Sequence, residues 1–365
     1  MTEIEDTFTP VHPGQILKRE LAAKGIKQND LAAEIGILPS LLSEIIKGKR
    51  SITPDMSLLL AAFLECDPNK YNDLQANFNL LSASKETALK EKLKAINWLR
   101  EIRTYVPLPY FRKQEELDGN PVKDLRKLQL ILNANSPEEL IETVGEKTPN
   151  GIRFKKSGKL IEYKPFVNSW LAYTKYLSAG LKVAPFDFSS RQQVFDGLKP
   201  IFKGKDVLQN LTKFLSKHGI KVVQAPKPEH APLDGAAFWC GENPVICLTL
   251  RHKRLDNLVF VVYHELSHVY LHLNKDHDMS FVDSIDDVRE IDIKEQEANT
   301  MAQNAMIPEK EWENFVAQQR FSDEIIGAFA DRMNIPGASV LGRLFFEKQL
   351  PYSAFSIFKS QNQIN

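Results

Sequence analysis

Residues 255–273 read Leu-Asp-Asn-Leu-Val-Phe-Val-Val-Tyr-His-Glu-Leu-Ser-His-Val-Tyr-Leu-His-Leu. At about 100° per residue this largely apolar run makes about five turns of helix, with His264-Glu265-Leu266-Ser267-His268 near its middle. The two histidines stand one turn apart on one face, close enough for both imidazoles to reach a single zinc ion at roughly 2.0 to 2.1 Å. Glu265 lies about 100° round the helix from His264. There its carboxylate is off the metal but within reach of a water beside it, whose proton it can take and later pass to a leaving amine. The spacing therefore predicts metal ligands His264 and His268 with a catalytic Glu265 between them.

A zinc centre that does chemistry needs a third protein ligand and an open position. Downstream, Glu295-Gln296-Glu297-Ala298-Asn299 falls in a helical stretch that ends at Pro308. Glu295 and Asn299 are one turn apart, so Glu295 is expected as the third ligand and Asn299 as a hydrogen-bond partner of a ligating histidine. Glu297 is the alternative ligand. His272 and His277 read as ordinary surface histidines or as partners that support the ligands without binding the ion, and Asp276, Asp278, Asp283, Asp286, Asp287, Glu290 and Asp292 as a solvated acidic loop. Upstream, Gly219-Ile220-Lys221-Val222-Val223 and Pro244-Val245-Ile246-Cys247-Leu248-Thr249-Leu250 read as strands. The strand nearer the helix, from Val245 to Leu250, is expected to offer an edge with which an extended substrate pairs.

Helical periodicity covers most of the remainder. Residues 166–217 suggest helices, and beyond 255 the chain reads as helical to about Phe346 with a break at Ile335-Pro336-Gly337. The first 82 residues read as a bundle of short helices, through Ile16, Leu17, Leu21, then Leu31, Ala32, Ile35, then Leu42, Ile45, Ile46, then Leu58, Leu59, Ala62, Phe63. Gly25, Gly36, Gly48 and Thr53-Pro54 punctuate them, while Pro13 and Pro39 suit first turns. Between these regions, Ala88, Leu89, Leu93, Ile96 and Leu99 mark an amphipathic connecting helix over 83–103, followed by helices near 121–134 and 136–145. Thr148-Pro149-Asn150-Gly151 is a turn. The expected organisation is a helical domain at 1–82, a helical linker region at 83–150 and a mixed α and β domain at 151–365.

Composition narrows the class. The 365 residues are 43% hydrophobic and 26% charged, which excludes a wholly disordered or collagenous chain and is too long for one ordinary core. No apolar run reaches the roughly 18 residues of a membrane span, and the acidic start Met1-Thr2-Glu3-Ile4-Glu5-Asp6 does not resemble a secretory signal, so no membrane partner and a cytoplasmic location are expected. Cys66, Cys240 and Cys247 form no metal or disulfide pattern and read as small hydrophobes. The 47 basic and 47 acidic residues cancel, yet residues 151–227 carry a net +11 and residues 228–365 a net −9. Facing surfaces or solvated faces account for that asymmetry more simply than a basic groove.

Two families are recognisable in these motifs. Tyr263-His264-Glu265-Leu266-Ser267-His268-Val269-Tyr270-Leu271-His272, Glu295-Gln296-Glu297-Ala298-Asn299 and Met306-Ile307-Pro308 resemble the ImmA/IrrE family of metallo-endopeptidases. Similar features extend through Leu233-Asp234-Gly235-Ala236-Ala237-Phe238-Trp239 and Pro336-Gly337-Ala338-Ser339-Val340-Leu341-Gly342-Arg343-Leu344, with Ser267 and Met301 where Gly and Phe are commonest. This resemblance implies an α+β zincin-like fold with a small sheet, Zn2+ on two histidines and a glutamate, and cleavage of a helix-turn-helix repressor. His12-Pro13-Gly14-Gln15-Ile16-Leu17, Gln28-Asn29-Asp30-Leu31-Ala32, Lys47-Gly48-Lys49-Arg50-Ser51-Ile52-Thr53 and Leu74-Gln75-Ala76-Asn77-Phe78 resemble Xre-type helix-turn-helix domains, more narrowly the HigA antitoxin family. That resemblance implies a five-helix lambda-repressor-like bundle, so the whole chain is expected to be multidomain and mainly α.

In such a bundle the helix from Pro39 to Lys47 would enter the major groove, with Ser40, Ser43 and Glu44 toward base edges. Gln28 would grip a phosphate, and Lys47, Lys49 and Arg50 would supply backbone charge. Two functional expectations follow. One is a regulator, dimeric on a palindromic operator, fused to a zinc endopeptidase that cuts a repressor, a toxin partner or its own segment near 104–122. The other is a non-enzymatic antitoxin whose zincin-like domain holds a toxin without turnover.

Overall fold

The computed structural model describes residues 10–145, 164–229, 233–273 and 288–364. The acidic N-terminus, the turn at 148–151, His277 and Asp276 through Asp287 lie outside the described residues. The chain divides into two compact units, Met1–Asn97 and Trp98–Asn365.

In the first unit, α1 (Pro13–Ala23), α2 (Gln28–Glu34), α3 (Pro39–Ile46), α4 (Pro54–Leu64) and α5 (Lys70–Ser84) enclose Leu17, Leu21, Leu31, Leu42, Ile45, Leu60 and Tyr71. The boundaries follow local chemistry. The His12 ring nitrogen Nδ1 accepts from the Gly14 N–H at the start of α1, with Pro13 in the first turn, and the Thr53 hydroxyl accepts from the Met56 N–H at the start of α4. Gly36, at φ +70, makes the turn between α2 and α3. A Cβ on Gly14 would fall 1.8 Å from the Ile45 carbonyl oxygen, so the backbones of α1 and α3 touch only because that side chain is missing. Gln75, buried in α5, accepts from the Ile52 N–H at 2.9 Å and so satisfies the backbone between α3 and α4.

Helix α6 (Thr87–Ile102) runs across the division between the units. In the second unit, α7 (Leu108–Lys113), α8 (Pro121–Leu132), α9 (Pro137–Gly145) and α10 (Lys164–Ala179) lie on one side of a three-stranded sheet. On the other side are α11 (Arg191–Lys203), α12 (Val207–Lys217), α13 (Leu255–Leu271) and α14 (Val288–Met306), with α15 (Glu309–Val316), α16 (Asp323–Met333), α17 (Gly337–Phe346) and α18 (Ile357–Ser360) following. The sheet contains β1 (Lys221–Gln224), β2 (Gly235–Cys240) and β3 (Asn243–Leu248) in the order β1-β3-β2. β1 runs parallel to β3 and β2 antiparallel to it. Gly241, at φ +64, takes the first of the two loop residues between β2 and β3, where a type II′ hairpin needs a positive φ.

Side chains of β3 alternate between two cores. Val245 and Cys247 join the core around Trp170, Phe111 and Leu128, whereas Ile246 and Leu248 join the one around Val262, Tyr263 and Leu266. A strand buried on both faces reads as a continuous apolar run, which is what 244–250 shows. Cross-links fix the layers. Trp170 Nε1 and the Tyr110 hydroxyl donate to the carbonyls of Ala225 and Pro226, just past β1, and the Tyr263 hydroxyl donates to the Phe195 carbonyl, joining α13 to α11.

Two expectations change here. Residues 98–145 are no spacer: Ile102, Val106, Phe111, Leu128 and Leu140 are fully buried against α10 and the sheet, so this region builds one face of the second unit. The compact units consequently part at Asn97, not at 82 and 150. Residues 104–122, considered as a cleavable segment, contribute Tyr110, Phe111 and Leu117 to the same core. In addition, β3 is the central strand. Both its ladders are taken, and the edge nearest α13 belongs to β2. Among the described residues, no helix is long and apolar enough to cross a membrane.

Candidate metal centre and nucleic-acid interface

Helix α13 spans 17 residues, and its apolar positions bury nearly all of its circumference, so the polar residues of the motif lie inside the protein. His264 and Glu265 are each 2% exposed and His268 1%. The hydroxyl of Ser267, also buried, donates back to the Tyr263 carbonyl at 2.7 Å and needs no outside partner. Helix α14 lies along α13 and brings Glu295 to the histidines. The Nε2 atoms of His264 and His268 are 3.1 Å apart, and Glu295 places one carboxylate oxygen 3.5 Å from the first and the other 3.3 Å from the second. Atoms bound at 2.0 to 2.1 Å to a tetrahedral ion are separated by about 3.3 to 3.4 Å, so each of these pairwise distances is close to one such a shell requires.

Their electrostatics suit the task. Burial lowers the pKa of His268 to about 4, although Glu295 pulls it the other way, so its ring is neutral at pH 7 with a lone pair to give. Burial alone would raise Glu295, but hydrogen bonds from His264 and His268 outweigh it and bring the carboxyl down to about 2. Two imidazoles and one carboxylate form a donor set that can hold a divalent metal ion.

Glu265 turns to the sheet. A Cβ on Gly235, the first residue of β2, would lie 2.7 Å from Glu265 Oε1, so the carboxylate occupies space that only a glycine leaves. The strand reading of the sequence omitted β2, and with it this contact. The small residues Gly235-Ala236-Ala237 ahead of Phe238-Trp239 were the available signal.

Glu297, the alternative ligand, is elsewhere: its Oε2 lies 2.9 Å from His272 Nε2, while His272 Nδ1 lies 3.0 Å from His268 Nδ1. His272, expected at the surface or as a neighbour of the ligands, is 7% exposed and takes the second of these places, leading from His268 outward to the exposed Glu297. Asn299 does not make its expected bond. Among the described residues its Oδ1 is buried without a partner, as is Nδ1 of His264, because the i, i+4 spacing along α14 fixes the position of the side chain but not its reach across to α13.

In the first unit, α3 buries Leu42, Ile45 and Ile46. Its other side carries Ser40 and Glu44, both exposed, and Ser43, half-buried, with Lys47, Lys49 and Arg50 exposed beyond its end. Gln28 is exposed at the start of α2. Glu44 and Arg50 approach to 3.6 Å, an exposed pair worth about 0 to 1 kcal/mol that a ligand can displace. Leu38, 70% exposed just before α3, is an apolar feature of this surface that sequence reading did not single out.

Comparison with known proteins agrees with both units. Residues 17–71 match the helix-turn-helix family and residues 215–345 the IrrE N-terminal-like domain. Virulence-associated protein A' of Dichelobacter nodosus is 35% identical over 85 residues, 23% of this chain and 74% of that protein. Virulence-associated protein I of the same organism is 31% identical over 77 residues, 21% of this chain and 71% of the other. Among solved structures, an addiction module antidote protein of a HigA family from Coxiella burnetii is similar at 34% identity over 23% of this chain and 91% of that one, with a TM-score of 0.22. The chain therefore belongs, through its first unit, to the helix-turn-helix family of DNA-binding proteins, and its second unit carries an IrrE N-terminal-like domain.

Proposed function

We propose that the protein is an antitoxin-type transcriptional regulator whose second unit is a zinc-dependent endopeptidase acting on a protein partner. The reading is supported above all by the convergence of His264, His268 and Glu295 at the ligand spacing of a tetrahedral ion, with Glu265 beside them but turned toward β2. Zinc held there supplies Lewis acidity and makes water a stronger acid. The rest is the work of the chain. Glu265 acts as general base and then as acid to the leaving amine, and Gly235 leaves room for its carboxylate. The edge of β2, unpaired among the described residues, offers N–H and C=O groups to an extended peptide. Were the Nε2 atoms to hold the ion, His268 Nδ1–H would donate to His272 Nδ1 and His272 Nε2–H to Glu297, which would fix the ring of His268.

In the first unit α3 enters the major groove with Ser40, Ser43 and Glu44 toward bases, while Gln28, Lys47, Lys49 and Arg50 hold phosphates. A homodimer on a palindromic operator is the matching assembly.

The near-complete burial of His264, Glu265 and His268 favours a second reading, an antitoxin that binds a toxin through this unit and never turns over. Glu265→Gln separates the two. The substituted full chain should keep its zinc and lose cleavage of the protein encoded beside it, while still binding operator DNA. Regulation and neutralisation indistinguishable from the original, with no cleavage by either, would leave only the binding role.

A further inference from the structure

A second site lies farther along the groove between α13 and α14. A cavity of about 160 Å³, close to the size that holds a benzene ring, is walled by Phe260, Met306, Ile307 and Phe346. Phe346 is 70% exposed, so the cavity reaches solvent. Polar residues also line it, Asn257 of α13, Gln303 of α14, and Ser339 and Arg343 of α17. Ser339 is 3% exposed and, among the described residues, its hydroxyl has no hydrogen-bond partner; Nη1 of Arg343 is likewise buried without one. The remainder of that guanidinium is occupied, since Nε donates to Glu347 at 2.7 Å and the group stacks on Trp312 at 4.3 Å.

Buried polar atoms are seldom left unpaired, and two donors at one small apolar cavity have a common remedy, a ligand that brings an acceptor. Arg254 and Asp256, also in the lining, pair with each other through two hydrogen bonds, and the charge of Arg343 is met by Glu347 outside the lining, so what Arg343 leaves for an occupant is Nη1, a charged donor that bonds most strongly to an anionic acceptor. We infer that this cavity is a binding site for a small organic acid, its apolar body among Phe260, Met306, Ile307 and Phe346 and its carboxylate on Arg343 Nη1 and the Ser339 hydroxyl. Phe260 also stacks on His264, with ring centroids 5.9 Å apart, so an occupant touches the residue behind a proposed metal ligand. The inference needs neither a bound ion nor turnover and survives or fails apart from the peptidase reading.

Benzoate, toluene and benzylammonium are the probes, titrated into the zinc-loaded full chain by calorimetry or ligand-observed NMR. Benzoate should saturate one site, with toluene and benzylammonium weaker by about tenfold or more. Arg343→Met should bring benzoate down to the level of toluene, and Ser339→Ala, which removes only one buried hydroxyl, should weaken it by about fivefold. If Arg343→Met does not fold, Ser339→Ala decides alone. Benzoate binding should persist after zinc is removed with a chelator. Binding that vanishes with the zinc would place the acid at the metal centre and overturn the assignment. So would equal affinities for benzoate and toluene, no saturable binding, or a Ser339→Ala protein that binds benzoate as tightly as the original.

Discussion

Gly235→Ala tests the contact that places Glu265. The added methyl would lie 2.7 Å from Glu265 Oε1, 2.9 Å from Val261 Cγ1 and 3.0 Å from the Cys247 carbonyl oxygen. Cys247 sits in the central strand, opposite Ala236 of β2, so its carbonyl has little freedom to move. The accommodation falls on the two side chains. To regain ordinary contact, the carboxylate must retreat by about 0.7 Å and the valine methyl by about 0.5 Å. Overpacking of this kind costs about 1 to 3 kcal/mol, measurable as a lowered urea midpoint with unchanged slope. A base displaced by a large fraction of an ångström should lose turnover by roughly 10- to 100-fold. Zinc affinity, measured by chelator competition, should stay within about threefold, because the methyl meets none of His264, His268 and Glu295 among its nearest neighbours. Full stability together with full turnover would refute the placement of Glu265 against β2. A fall in zinc affinity as large as that from His264→Ala would show that Glu265 is itself a ligand.

The outer histidine and the buried one give two further tests. His272→Phe removes the acceptor for His268 Nδ1–H and should lower zinc affinity about 10- to 100-fold, with His272→Gln, whose side-chain oxygen can accept, recovering part of it; equal affinity in all three proteins would sink this role. For the metal-free chain, the folded pKa of His268 near 4 lies below the ordinary 6.5, so the unfolded state takes up that proton first as pH falls. The second unit should therefore lose stability from about pH 6.5 down to 4, by on the order of 3 kcal/mol, and Glu295 adds a loss of the same sign below that window. Urea titrations of chelated protein across this range check it, and a flat profile, or one that disappears only when zinc is present, decides against or for the assignment respectively.

The sequence was most informative where one physical rule acts over a short distance. Helical periodicity sets the two histidines of 264–268 on one face whatever surrounds them, and Gly25, Gly36 and Pro39 break the first 82 residues into helices by local conformational preference alone. The i, i+4 argument for Glu295 picked the carboxylate that lies beside the two histidines, but the same argument for Asn299 did not produce its hydrogen bond, since spacing along α14 says nothing about distance to α13.

What only the tertiary structure decided are pairings between segments far apart in the chain. That 98–145 supplies half of a core depends on which apolar stripe it meets, and an amphipathic helix looks the same whether it spans solvent or covers a sheet. That β2 forms the edge beside α13, that Glu265 rests against Gly235, and that Glu297 belongs to His272 all follow from long-range register, which a strand's alternating pattern permits but does not choose. Local sequence thus determined the helix that carries the two histidines, while close packing of distant backbones determined which acid reaches them, which acid faces the strand, and where a second cavity could open.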